Sequence, residues 1–223
     1  TQGTIEIKPD DIDVTVENNP GTINREGLET GWMSIKVYDS DNNSMVPINV
    51  NGSLWITLNG SLSSYDKGVY LQTNSSGYFN YDFDPNCSHS VGAHYWIGGV
   101  LNEECYKDKN ITSPQYFEVY GQLKNYLDVP SYQEVFNVTE PVPIMFTTYS
   151  DCKGFSERPE ENPVVNASSY TIEVYHPNEG WLGCSSDNLY NGSYNCTFDS
   201  TGHEEGNWSV RFNTSKNYFN DNT

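Results

Sequence analysis

The chain has 223 residues, and eleven Lys and Arg stand against thirty Asp and Glu for a formal charge of −19. Nucleic acids and anionic lipid surfaces are both bound through a cationic face, so this balance sets both aside as partners. Aromatics are 14% and charged residues 18% of the chain, which supplies a core and excludes a solvated acidic tail, and no apolar run approaches the ~18 residues of a membrane span.

Alternation of period two, the mark of half-buried strands, recurs along the first half. It predicts strands at Ile12–Val16, Trp32–Tyr38, Leu54–Leu58, Val69–Thr73, Tyr78–Phe83, His94–Ile97 and Tyr116–Tyr120. Clusters of Gly, Asn, Asp, Ser and Pro separate them, and no capped amphipathic helix is visible. Seven short strands at this spacing predict an antiparallel β-sandwich. The second half predicts a pre-strand at Val135–Val138, then strands at Ile144–Thr148, Tyr170–Tyr175, Trp181–Cys184, Tyr194–Phe198 and Trp208–Phe212.

The two halves repeat. Gly77-Tyr78-Phe79-Asn80-Tyr81-Asp82-Phe83-Asp84 aligns with Gly192-Ser193-Tyr194-Asn195-Cys196-Thr197-Phe198-Asp199. Ser53–Leu58 aligns with Ser169–Val174, and Trp96 with Trp208. The expected organisation is an N-terminal extension over residues 1–8, a first domain over 9–123 and a second over 124–223, divided near Gln122–Asn125. The segment Glu157–Pro163 is expected to be a mobile loop within the second domain.

Twelve Asn-x-Ser/Thr triplets occur: Asn42, Asn51, Asn59, Asn74, Asn86, Asn110, Asn137, Asn166, Asn191, Asn195, Asn207 and Asn213. Each is an acceptor for an N-linked glycan in a chain that crosses a glycosylating membrane. Asn86 and Asn195 carry Cys at the middle position, where transfer is less efficient. The five cysteines, Cys87, Cys105, Cys152, Cys184 and Cys196, form no Cys-x-x-Cys motif, which argues for disulfides of an oxidising extracellular space over zinc or redox chemistry. Order along the chain pairs Cys87 with Cys105 and Cys184 with Cys196, leaving Cys152 free or intermolecular. Pairing of Cys152 with Cys184 or with Cys196 stays open. The chain opens on Thr1 without a signal-peptide pattern, as expected of a mature protein or an excised segment.

A family resemblance rests on four stretches: Ile12–Val16, Ile35–Asn42, Val46–Val50 with its Val-Pro, and Thr73–Phe79 with its Thr-x-x-x-Gly-Tyr hairpin. They resemble the Ig-like repeats of the invasin and carboxypeptidase-regulatory kind in bacteria and archaea. Gly206–Phe212 is similar to glycosylated Ig-like repeats of archaeal surface proteins. The resemblance implies two tandem Ig-like domains and a cell-surface setting.

The second domain has no counterpart for Tyr116–Tyr120, while the alternating Thr4-Ile5-Glu6-Ile7-Lys8 has no role in the first. Three readings account for this. The N-terminal strand of one copy fills the open sandwich of the next, the missing strand lies beyond Thr223, or Lys216–Asn220 is a short final strand.

No catalytic constellation emerges. His89, His94, His176 and His203 lack metal-ligand spacing, with His94 placed in a strand and the others in turns. Asp39-x-Asp41-x-Asn43 has the oxygen spacing of a calcium loop but lacks the Gly and distal Glu of one. Trp181 is the tryptophan expected to be exposed for stacking on a sugar, with Trp55, Trp96 and Trp208 in the core. The expected function is a non-enzymatic extracellular glycoprotein without cofactor, a structural calcium ion at a domain junction being the alternative kept open, and a filament or surface-layer subunit assembled with its own copies or neighbouring surface domains. The rivals are an adhesin stalk segment and a carbohydrate-binding module.

Overall fold

The computed structural model describes Glu6, residues 8–154, Ser156 and residues 167–220. Every regular element among them is a strand: β1 (Ile12–Asn18), β2 (Thr22–Asn24), β3 (Gly31–Asp39), β4 (Ser44–Met45), β5 (Asn51–Ile56), β6 (Val69–Gln72), β7 (Tyr78–Phe83), β8 (Gly92–Val100), β9 (Lys109–Asn110), β10 (Gln115–Val129), β11 (Pro141–Ser150), β12 (Ser169–His176), β13 (Gly180–Cys184), β14 (Ser186–Asn188), β15 (Ser193–Asp199), β16 (Ser209–Ser215) and β17 (Phe219–Asn220). No helix among the described residues is long and apolar enough to cross a membrane. The chain divides into two units, Thr1–Val119 and Tyr120–Thr223. The division falls inside β10, whose first residues pair with β8 and whose later ones pair with β11.

Unit 1 is an Ig-like sandwich. One sheet pairs β3 with β1, β4 and β7, all antiparallel. The other runs β6-β5-β8-β10, again antiparallel, with β9 on β8. Alternation in β3 and β8 sends Met33, Ile35, Val37, His94 and Trp96 inward, where they meet Leu54, Ile56, Phe79 and Phe117. Burying each such side chain contributes ~1.5–3 kcal/mol. Trp96 is fully enclosed and donates its indole N–H to Asn19 Oδ1 at 2.8 Å, which satisfies its one polar atom. His94 is equally enclosed, with its two ring nitrogens 2.7 Å from the carbonyls of Thr57 and Ser90. Gly77 (φ +77°) sits in the turn that carries the chain from β6 in one sheet to β7 in the other, a backbone conformation that side chains disfavour.

Unit 2 repeats the topology with a smaller core. One sheet is β14-β15-β11 and the later part of β10; the other is β13-β12-β16. Its centre is an aromatic column: Tyr170 lies 4.4 Å from Tyr194, Tyr194 4.9 Å from Phe146 and Phe146 4.4 Å from Phe212 between ring centroids. The aligned segments of the two halves become β7 and β15, and each pairs with the second long strand of its unit, Phe79 opposite Ile35 and Tyr194 opposite Phe146.

Several expectations are corrected. Val135–Val138 is not a strand but part of a loop, with Val135 and Val138 exposed. The lane expected for it is taken by the continuation of β10 to Val129, which pairs with β11. His176, expected in a turn, instead ends β12 and closes its inward row; His89 lies in a turn as expected and is buried there, edge-on against Phe83. Trp55 and Trp208 are partly rather than fully buried. The expected loop Glu157–Pro163 lies outside the described residues, as does most of Thr4–Lys8.

Candidate functional site

The sequence-expected sites fall on turns and sheet faces. Of the sequon asparagines, Asn42, Asn74, Asn86, Asn110, Asn137, Asn191 and Asn207 are exposed, and Asn51, Asn59, Asn195 and Asn213 are half-buried. Asn166 lies outside the described residues. Four share one local geometry: the side-chain oxygen accepts the backbone N–H of the Ser two residues on. The distances are 3.0 Å for Asn59–Ser61, 2.9 Å for Asn74–Ser76, 2.8 Å for Asn86–Ser88 and 3.0 Å for Asn191–Ser193. Asn favours such turns because its short amide mimics a backbone carbonyl. The geometry occupies the oxygen, and among the described residues no hydrogen bond engages the amide nitrogen of these four. Elsewhere both amide hydrogens are used. Asn42 Nδ2 donates to Asp39 Oδ2 at 2.7 Å and to Asp10 Oδ2 at 3.4 Å. Asn213 Nδ2 donates to Thr171 Oγ1 at 3.0 Å and Glu173 Oε2 at 3.4 Å.

The Asp39–Asn43 turn is built from its own side chains. Asp39 is buried, and its carboxylate accepts the backbone N–H groups of Asp41 and Asn42, the Asn42 amide and the Tyr106 hydroxyl. The Asn42 amide bond leads in holding the Asp39 carboxyl below its ordinary range, against the opposing effect of burial. Asp41 accepts the N–H of Asp11 at 2.9 Å. These oxygens serve as turn formers, so a calcium ion here would have to displace several of these bonds.

Cysteine pairing departs from order along the chain. Cys184 and Cys196 are joined, as expected. Cys184 ends β13 and Cys196 lies in β15, so the bond ties the two sheets of unit 2 rather than one hairpin. Cys105, expected to bond Cys87, is a free exposed thiol. Cys87 and Cys152 are both disulfide-bonded, so Cys152 is not free. A disulfide needs Cα atoms within ~4.4–6.8 Å, a condition that proximity in sequence does not impose.

Trp181 is 44% exposed, as expected. The Arg211 guanidinium sits 3.9 Å from its ring centroid and Tyr175 packs 4.9 Å away. Arg211 is in turn held by Glu173 through Nε at 3.0 Å and Nη2 at 2.7 Å. The outer face of β12-β13-β16 therefore carries an aromatic platform, part of which a cation already covers.

At one end of unit 2 a cleft of about 880 Å³ is walled by Leu127, Val142, Phe198, Trp208 and Val210, with loop residues 130–138 along one side. No signal in the sequence located it, because its walls come from loops and strands far apart along the chain. Beside it, His203 Nδ1 meets Glu179 Oε2 at 2.5 Å and the Glu204 N–H donates to Glu179 Oε1 at 2.6 Å. The Glu204 N–H bond, then the His203 contact, hold the Glu179 carboxyl below its ordinary range. Buried His176 stacks on Trp208; its Nδ1 lacks a hydrogen-bond partner and lies 3.9 Å from Glu204 Oε2.

No protein-family profile matches the chain, and no curated protein sequence does. Among solved structures, the chain is similar to a tetra-tandem repeat in the extending region of a large adhesion protein, at 14% identity and TM-score 0.38 over 98% of this chain and 48% of that one. It is similar to invasin, a bacterial integrin-binding protein, at 12% identity and TM-score 0.43 over 91% and 36%. It is also similar to the Yersinia pseudotuberculosis adhesin InvE, at 16% identity and TM-score 0.38 over 92% and 58%. The chain thus spans less than two thirds of each of these chains.

Proposed function

We propose that this chain is a structural, non-enzymatic and N-glycosylated component of an extracellular cell surface, assembling with its own copies or with neighbouring surface domains into a filament or surface layer. The observation that carries the reading is the set of sequon turns at Asn59, Asn74, Asn86 and Asn191. Each ties down the amide oxygen and leaves the nitrogen unengaged, and they occur in both sandwiches. Sheet ladders and an inter-sheet disulfide suit an oxidising, load-bearing setting. An acidic surface of net charge −19 discourages non-specific association. Intact-mass measurement on natural material is the test: glycans add mass in multiples of a saccharide above the 25.2 kDa of this polypeptide. A bare mass sinks the glycoprotein reading.

A second reading, carbohydrate binding, draws on the Trp181 platform. A glycan array on the purified chain, beside Trp181→Ala, tests it. Retention that vanishes with the ring favours it, and an empty array rejects it.

A further inference from the structure

Strand β6 is the last strand of its sheet in unit 1, and among the described residues it pairs with β5 alone. An edge of this kind, with aromatic side chains on its outer face, is a surface that folded proteins keep covered. Along β5, Gly52, Leu54 and Ile56 are buried, and Asn51, Ser53 and Trp55 alternate with them on the outer face. The register sets Gln72 opposite Asn51 and Tyr70 opposite Ser53. Tyr70 is 63% exposed and Trp55 is half-buried. Just before β6 the chain supplies a flat seat for the indole. A Cβ at Gly68 would lie 2.5 Å from Trp55 Nε1 and 2.6 Å from its Cδ1, so the ring lies where only glycine leaves room.

Asn51, the first residue of β5, opens the triplet Asn51-Gly52-Ser53. Its Oδ1 accepts the Tyr70 hydroxyl, and Gln72 Nε2 donates to the same oxygen at 3.1 Å. Among the described residues no hydrogen bond engages its Nδ2 or the Trp55 indole N–H. The attachment nitrogen therefore heads a strip that runs past Tyr70 to Trp55. Four residues of strand at ~3.3 Å each make this strip about 13 Å long. We propose that the first saccharides of a glycan on Asn51 lie along the strip, with the C–H face of each ring against Tyr70 and then Trp55. The proposal rests on the glycoprotein reading above and names the surface that one of its glycans covers. Attachment fixes the occupant, because a short flexible tether holds the sugar at an effective concentration in the millimolar range beside the rings. A pyranose presents a C–H face and hydroxyl edges. Stacking it on Tyr70 and Trp55 removes apolar surface of both partners from water, while the hydroxyls stay hydrated and one of them can accept the Trp55 N–H. The same glycan covers the β6 edge against pairing with another chain.

The test uses the full chain secreted by a host that attaches an N-acetylglucosamine-based glycan. Hydroxyl-radical footprinting with peptide mass spectrometry reads Tyr70 and Trp55 in the parent and in Ser53→Ala, which removes the acceptor triplet and keeps Asn51. Oxidation of both rings is expected to rise several-fold in Ser53→Ala, with Tyr132, 91% exposed in unit 2, unchanged as the internal standard. Enzymatic release of the glycans from the folded parent is expected to give the same rise without any substitution. The melting temperature of unit 1 is expected to fall in Ser53→Ala and to fall less when the same change is made beside Tyr70→Ala, because coupled groups lose their additivity. Rings oxidised equally while the Asn51 peptide carries its glycan would overturn the proposal, and so would additive losses in the two backgrounds. Protection that fades on dilution marks a second copy on the edge and overturns it as well. Glycopeptide mapping of natural material separates this inference from the reading beneath it. Asn51 bare with other triplets occupied removes the stacked sugar and leaves the glycoprotein, and a chain bare at every triplet removes both.

Discussion

Asp39 and the sequon asparagines show what single side chains contribute. Asp39 is 3% exposed and accepts four hydrogen bonds. Its folded pKa is depressed below that of an ordinary aspartate, so its stabilisation is complete above the unfolded pKa and is lost as pH falls through the folded one. Asp39→Asn puts donors against the Asn42 amide. It is expected to cost unit 1 ~1–3 kcal/mol at neutral pH and to shrink the loss of stability on acidification below about pH 4, as urea denaturation at the two pH values would register. The asparagines should differ in occupancy. Attaching a sugar replaces one amide hydrogen, and Asn42 and Asn213 use both. Site-resolved glycopeptide mass spectrometry is expected to find Asn59, Asn74 and Asn191 better occupied than those two; the opposite order would refute the argument. The triplets were legible in the sequence. Their full hydrogen bonding was not, because Asp10 beside Asn42 and Thr171 and Glu173 beside Asn213 lie 32 to 42 residues away along the chain.

Among elements, β7 and β15 were readable because glycine and alternating aromatics recur at both sites and each strand is bounded by turn residues. The later part of β10 was not, because Tyr120-Gly121-Gln122 interrupts the alternation with a residue that usually ends strands. Val135–Val138 carried the better local pattern yet lost, since a strand exists only where a partner edge is available and β10 already occupies that edge of β11. The inter-sheet bond between Cys184 and Cys196 closes a separation of 12 residues. A loop of that size is worth ~3 kcal/mol in restricting the unfolded chain. Replacing both cysteines by serine is expected to lower the melting transition of unit 2 in calorimetry and to leave that of unit 1 in place. Gly99 marks a second sensitive element. A Cβ there would sit 2.1 Å from the Lys109 carbonyl, so Gly99→Ala should separate β9 from β8 and cost ~1–3 kcal/mol. Thermal melts that match the parent would show that β9 gives way freely.

At the scale of the molecule, charge and repetition set behaviour. Thirty acidic residues against eleven basic ones repel one another in the compact state. Raising ionic strength from about 10 mM to about 150 mM shortens the screening length to ~8 Å. It is therefore expected to raise the melting temperature, with sodium chloride at fixed pH as the check; a flat or falling response would mean that local ion pairs such as Lys107–Asp11 and Lys109–Asp13 outweigh the net repulsion.

Alternation, turn residues and the internal repeat are local properties, so the residues alone determined the all-β class, the pair of sandwiches and the positions of the Asn-x-Ser/Thr triplets. Three matters belonged to the folded chain. Cys105 and not Cys152 is left as the thiol, β10 pairs with β8 through its first residues and with β11 through its later ones, and β16 pairs with β12 alone among the described residues. Each depends on which edges and side chains meet across long separations. That meeting is settled by competition for partners during packing, which no short stretch of sequence encodes.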